Sequence, residues 1–229
     1  KARRLAYTKG THVSTVSYCS LSEGFGRFTL RKAGEPSTKS VPEMKGVRNV
    51  AADFFVQGTD SLDLASEYCR DNGLEIFASI RINDQHDSNS KPGNLSAHYP
   101  DVKLKHPECL MGALDPEDPR NKGLFQRWCS WSCVDYSQKL VRRRLREIVW
   151  KLVNNYDIDG LELDFNRHSI LFRSVELGGV ASAEEVEMFT QLMRELKTIV
   201  TNAERRKNRP IVIFVRVPDS PEFARAVGL

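Results

Sequence analysis

No run in the 229 residues approaches the ~18 consecutive apolar residues of a membrane-crossing helix, so neither such a helix nor a membrane partner is expected. Cysteine is scarce and unevenly spaced: Cys19, Cys69, Cys109, Cys129 and Cys133. An odd count at irregular spacing is no disulfide framework. The three residues between Cys129 and Cys133 fit neither a thioredoxin-type pair nor a zinc half-site, so these residues read as plain thiols. The G-x-G-x-x-G, Walker and G-x-S-x-G signatures are missing, which argues against nucleotide chemistry and serine hydrolysis. A strong charge of one sign is missing too. The 34 Lys and Arg against 30 Asp and Glu leave a net charge of +4. The cluster Arg142, Arg143, Arg144 and Arg146 reads as a solvated helix face, so no nucleic-acid partner is expected. No leader peptide is visible, and the first residue is Lys1 rather than Met. Location is therefore secreted or periplasmic if a leader was removed, and cytoplasmic otherwise.

What is present is an alternation of strand and helix patterns. Residues 13–19, "VSTVSYC", read as a strand. "DSLDLASEYCRDNG" reads as a helix capped by Asp60 or Ser61 and ended by Gly73. "LEIFASIRIND", 74–84, is a second strand. In 136–156, Val141, Leu145, Ile148, Val149, Leu152 and Val153 recur at helical spacing. "DGLELDF" is a third strand. A long helix follows, with Ser182 and Glu185 as its capping box and Val186, Phe189, Leu192, Met193, Leu196, Ile199 and Val200 as its apolar stripe. "PIVIFVRVPDS", 210–220, is a fourth strand. Long loop insertions are expected near 20–58 and 85–134.

Such an order predicts a parallel sheet with right-handed crossovers, either doubly wound or a barrel. Side chains alternate across a strand. Ile76, Ala78, Ile80 and Ile82 oppose Phe77, Ser79, Arg81 and Asn83; Leu161, Leu163 and Phe165 oppose Glu162 and Asp164; Ile211, Ile213, Val215 and Val217 oppose Val212, Phe214 and Arg216. One face is apolar and the other turns polar towards the strand end. Doubly wound strands are apolar on both faces, so the pattern favours a (β/α)8 TIM barrel. The chain, 1–229, reads as one barrel domain supplying the N-terminal half to two-thirds of it, since four strands are legible of the eight required.

Barrel active sites lie at the C-terminal strand ends. Arg81, Asn83, Asp164 and Arg216 are therefore expected to converge at one mouth, with Glu162 one layer deeper. The competing reading is an ion-pair network that only supports the sheet. Glycoside hydrolysis commonly uses two carboxyl groups. Asp164 is the leading catalytic candidate; Glu162 is a second but lies too deep for the same bond, so Asp84 and Asp219, each just after its strand, are the other candidates for the partner carboxyl. Arg81, Asn83, Asp84, His86, Arg167, His168 and Arg216 are candidates for contacts to a carbohydrate substrate. Trp128 and Trp131 could stack on sugar rings or form a satellite core under the loop. The arginines suit an anionic sugar, or serve to keep Asp164 ionised. His86, His98 and His106 lack the tight spacing of metal ligands, so neither metal nor cofactor is expected. The alternatives to a glycosidase are a non-catalytic carbohydrate-binding barrel and a metal-dependent hydrolase.

"GLEIFASIRINDQHD", "HPECLMG", "YDIDGLELDFNRH" and "IVIFVRVP", in that order, resemble the glycosyl-hydrolase-like TIM-barrel families, nearest the glycosyl hydrolase-like family 10 group. The resemblance covers about residues 60–220. It places Arg81 and Asn83 at the end of one strand, and Asp159, Gly160 and Asp164 on another. Phe165 departs from the group, which has a second Asp there. The resemblance implies carbohydrate hydrolysis without naming a sugar.

Overall fold

The computed structural model describes residues 5–21, 27–28, 30–33, 35–36, 50–96, 99–125 and 130–229. Trp128, His98 and Cys129 lie outside them. Strand β1 spans Thr15–Leu21, and β2 (Arg27–Phe28) and β3 (Glu35–Pro36) make a separate two-residue parallel pairing. Helices α1 (Ala51–Val56) and α2 (Ser61–Asp71) lead to β4 (Glu75–Arg81). Helix α3 (Asp101–Lys105) and α4 (Lys139–Asn155) precede β5 (Gly160–Asp164); α5 (Arg173–Glu176) and α6 (Ala183–Lys207) precede β6 (Val212–Arg216); α7 is Pro221–Ala226.

The main sheet has the order β1-β4-β5-β6, every pair parallel. Each strand lies beside the one before it, and the order never reverses. Right-handed crossovers stepping in one direction keep the helices on one face, whereas a doubly wound sheet needs a reversal. The result is a mixed α/β fold with the winding of part of a (β/α)8 barrel. The described strands do not close on themselves, and barrel closure remains an expectation of the sequence.

The helices form where their patterns place them. Asp60 caps α2 by accepting from the N–H groups of Leu62 and Asp63, both at 3.0 Å. Gly73 takes φ +66° just beyond the helix, a conformation that suits glycine. The buried residues of α4 are those of the expected stripe. The capping box of Ser182 and Glu185 is present, and Phe189, Leu192, Leu196 and Val200 are buried; Val186, in the first turn, is exposed. The helices cover the face carrying Ala78, Ile80, Leu161 and Leu163, all fully buried. Cys69, Cys109 and Cys133 are buried thiols.

Three expectations change. The 20–58 segment ends in α1, a six-residue helix too short for a periodic pattern to show. The 85–134 insertion is a packed unit containing α3 and short 3-10 turns, with Leu110, Met111, Leu124, Trp131 and Val134 buried. Strand β6 is an outer strand of the described sheet, with Val212, Phe214 and Val215 exposed rather than forming a covered face.

Gly160 opens β5 opposite Phe77 on β4. A Cβ at Gly160 would lie 2.6 Å from Phe77 ring carbons, so only glycine lets that ring lie across the sheet. Ala is ordinarily better than Gly in a strand by about 0.5–1 kcal/mol, but overpacking costs about 1–3 kcal/mol and dominates here. Gly160→Ala is therefore expected to lower the urea midpoint. A midpoint at or above wild type would show that Phe77 yields freely.

Candidate active site

The parallel register sets the polar face in rows. Phe77, Gly160 and Val212 form the lowest; Ser79, Glu162 and Phe214 the next; Arg81, Asp164 and Arg216 the last, at the C-terminal strand ends. Successive rows are about 6–7 Å apart. The sequence expectation that Arg81, Asp164 and Arg216 meet is what the register shows.

Each acid is held by different groups. Glu162 is buried, and its Oε2 accepts from Ser17 Oγ at 2.7 Å while its Oε1 accepts from Ser79 Oγ at 2.8 Å. Asp164 ends the strand, its Oδ1 accepting from the N–H groups of Asn166 at 3.0 Å and Arg167 at 3.3 Å. Arg216 Nη1 lies 3.6 Å from Glu162 Oε1 and 3.5 Å from Asp164 Oδ2. Those two legs limit the oxygens they join to a separation of at most about 7 Å, with the Arg216 guanidinium between them. Glu162 is thus fixed by two hydroxyls and faces Arg216, while Asp164 turns Oδ2 towards the same arginine. Ser17 and Ser79 were not among the predicted site residues. Their only sequence signal is hydroxyls on strand positions, and Ser79 shares a face with Arg81.

A second cluster follows β4. Asp84 is 4% exposed at its side chain. Its Oδ2 accepts from Arg81 Nη1 at 3.2 Å, and its Oδ1 lies 2.9 Å from the His86 N–H and 2.6 Å from His86 Nδ1. Burial opposes ionisation of Asp84, but the backbone and ring of His86 and the Arg81 guanidinium outweigh it and hold the carboxyl below its ordinary value. His168 stands nearby with φ +69°, and its Nε2 is buried without a hydrogen-bond partner among the described residues.

Burial pushes the His168 imidazole down to about 4 from its ordinary 6.5; Asp84 opposes this, and Arg167, His86 and Arg81 add to it. Between those values the unfolded chain binds a proton that the folded chain refuses. Stability therefore falls as pH drops through that window. Asn tolerates positive φ, so His168→Asn is expected to flatten that slope in urea melts across the window. An unchanged slope would assign the dependence elsewhere.

Other predicted residues lie elsewhere. Asn83 donates to the carbonyls of Val134 at 2.9 Å and Ile170 at 3.2 Å, and accepts from the N–H groups of Asp84 and Val134. Its amide is occupied in joining three loops, so it is not available to a substrate. Trp131 is 5% exposed, stacks on Tyr99 and donates to the Ser88 carbonyl, so it is part of the main hydrophobic core rather than a sugar platform or a separate satellite cluster. Arg167 is exposed at the turn after β5, and Asp219 is exposed in the turn after β6 without a bond to either acid. Among the described residues no cluster of His, Cys, Asp or Glu has the arrangement of a metal site.

No family model and no curated protein matches the chain. Three solved structures resemble it in part. A family 18 N-acetylglucosaminidase from Paenibacillus barengoltzii is 17% identical at TM-score 0.38, over 72% of this chain and 35% of its own. A family 36 α-galactosidase from Geobacillus stearothermophilus is 18% identical at TM-score 0.36, over 68% of this chain and 19% of its own. A cycloalternan-degrading enzyme from Trueperella pyogenes is 14% identical at TM-score 0.41, over 93% of this chain and 28% of its own. The chain spans 19% to 35% of the lengths of these structures. The families named for the first two are 18 and 36, and neither is the family 10 group of the motif resemblance.

Proposed function

We propose that this chain carries the carboxylate side of a glycoside hydrolase active site acting on a poly- or oligosaccharide, with Asp164 meeting the sugar. The observation that supports this reading is the row Arg81–Asp164–Arg216 at the C-terminal ends of parallel strands, standing over Glu162. Glycosidic cleavage builds positive charge on the sugar ring, and a carboxylate at the ring stabilises it or bonds to it. Asp164 has one oxygen held by the turn and one facing Arg216. Glu162 acts as a positioning residue through Arg216, and the two arginines answer acids of this chain, which gives no preference for an anionic sugar.

The test is release of reducing ends from a panel of neutral and acidic glycans. Hydrolysis by wild type and its loss in Asp164→Asn, at unchanged melting temperature, is the expected result. Hydrolysis by Asp164→Asn at the wild-type rate would overturn the role of Asp164. Glycan binding by calorimetry without product would make this a carbohydrate-binding barrel instead.

A further inference from the structure

We infer that Asp84 and His86 form an acid–base pair at the mouth, in which His86 carries the proton and Asp84 orients it. The inference rests on the glycosidase reading for its substrate, though the pair itself is a feature of the geometry. Glycosidic cleavage calls for a proton donor besides the carboxylate at the ring. Glu162 is occupied by two serines and Arg216, and Asp219 is solvated without a bond to the row. Among the described residues His86 is joined to the row through Asp84 and Arg81, with a buried carboxylate behind it and its side chain part-exposed to solvent.

The pair is built from fixed parts. Asn83 holds the Asp84 N–H at 3.1 Å and is itself clasped by Val134 and Ile170. Asp84 sits three residues past Arg81, whose Cα partner across the sheet is Asp164. One oxygen of Asp84 takes both the backbone N–H and the ring of His86, so backbone and imidazole are set together. The other oxygen is engaged by Arg81. An ionised carboxylate has no proton to give, so Nδ1 must carry one and donate it. The neutral ring then presents the lone pair of Nε2 away from Asp84, and the His86 side chain is 41% exposed. This is the logic of a base oriented by a third group. From the β4 end Asp84, itself bridged to Arg81, faces the ring; from the β5 end His168 lies within electrostatic range of it, and Asp84, Arg81 and Arg167 act on that second imidazole as well.

The chemistry balances in two steps. Asp164 Oδ2 bonds to the anomeric carbon as its bond to the leaving oxygen breaks. The electron pair stays with that oxygen, which takes the Nε2 proton of protonated His86. Water then gives its hydroxyl to the anomeric carbon and a proton to Nε2, and the bond to Oδ2 breaks, restoring the carboxylate. Asp84 stabilises the imidazolium before the proton leaves and after it returns.

Two measurements test the pair. Long-range proton–nitrogen NMR on the full chain with labelled histidine is expected to show neutral His86 protonated at Nδ1, and an Nε2–H tautomer would overturn the proposal whatever the substrate. On a glycan identified by the panel, His86→Gln is expected to lower kcat about 10²–10⁴-fold. It should leave KM little changed, remove one limb of the pH profile, and spare an activated aryl glycoside whose leaving group needs no proton. Equal loss on both substrates, or no loss, would overturn the role of His86 while leaving the role of Asp164 standing. Nδ1 protonation without glycan hydrolysis would uphold the pair and count against the glycosidase reading alone.

Discussion

Asp164→Asn is expected to lower kcat/KM on any glycan that the chain hydrolyses by about 10³-fold or more, which corresponds to roughly 4 kcal/mol of transition-state stabilisation. The substitution is close to isosteric, and Asn still offers the oxygen that accepts the N–H groups of Asn166 and Arg167. The end of β5 should therefore keep its turn. What disappears is the negative charge facing Arg216 and the nucleophilicity of Oδ2. Glu162 remains to face Arg216 from the row below, and the arginine is half-exposed to solvent, so losing the Asp164 charge strands no buried cation. Activity and stability should consequently separate: the melting temperature holds while turnover collapses. A variant in which both fall together would point to the supporting ion-pair network instead.

That separation depends on rows that were largely legible in the sequence. Alternation in "GLELDF" puts Glu162 and Asp164 on one face of their strand, and alternation in "LEIFASIRIND" puts Arg81 on the polar face of its own, because strand periodicity is a property of the backbone alone. Register across strands is not local, so the pairing of Arg81 with Asp164 and of Asp164 with Arg216 was an inference from fold class. Hydrogen-bond destinations were less legible still. Asn83 and Arg81 lie on the same face by periodicity. One is consumed by the loops of Val134 and Ile170, and the other reaches Asp84. Trp131 and Phe125 are both loop aromatics in the sequence. One is in the core and the other is 78% exposed, a difference set by how the 85–134 segment folds back on itself. Ser17 and Ser79 became informative only once the fold brought both against Glu162.

The same segment holds the change with the largest expected effect on stability, Lys103→Met. Lys103 on α3 is 1% exposed, and Asp87 is fully buried. Lys103 Nζ donates to Asp87 Oδ2 at 2.7 Å and to the Ser132 carbonyl at 2.5 Å, while Asp87 Oδ1 finds no partner among the described residues. Removing the ammonium strands a carboxylate where water does not reach, and breaking such a pair costs about 3–5 kcal/mol. That is a large part of the ~5–15 kcal/mol that holds an ordinary domain together. Replacing both partners, as Lys103→Met with Asp87→Leu, removes the stranded charge, so urea melts should show the double variant recovering most of the loss. Equal destabilisation in the single and double variants would mean that shape, and not charge, makes this site costly. The consequence reaches the mouth. Asp87 is the residue after His86, and Ser132 lies two residues before Val134, which Asn83 clasps. The Lys103 pair therefore ties together the two loops that position Asp84 and His86. Lys103→Met should loosen the His86 ring from Asp84 at denaturant concentrations where the helices and the sheet are still intact.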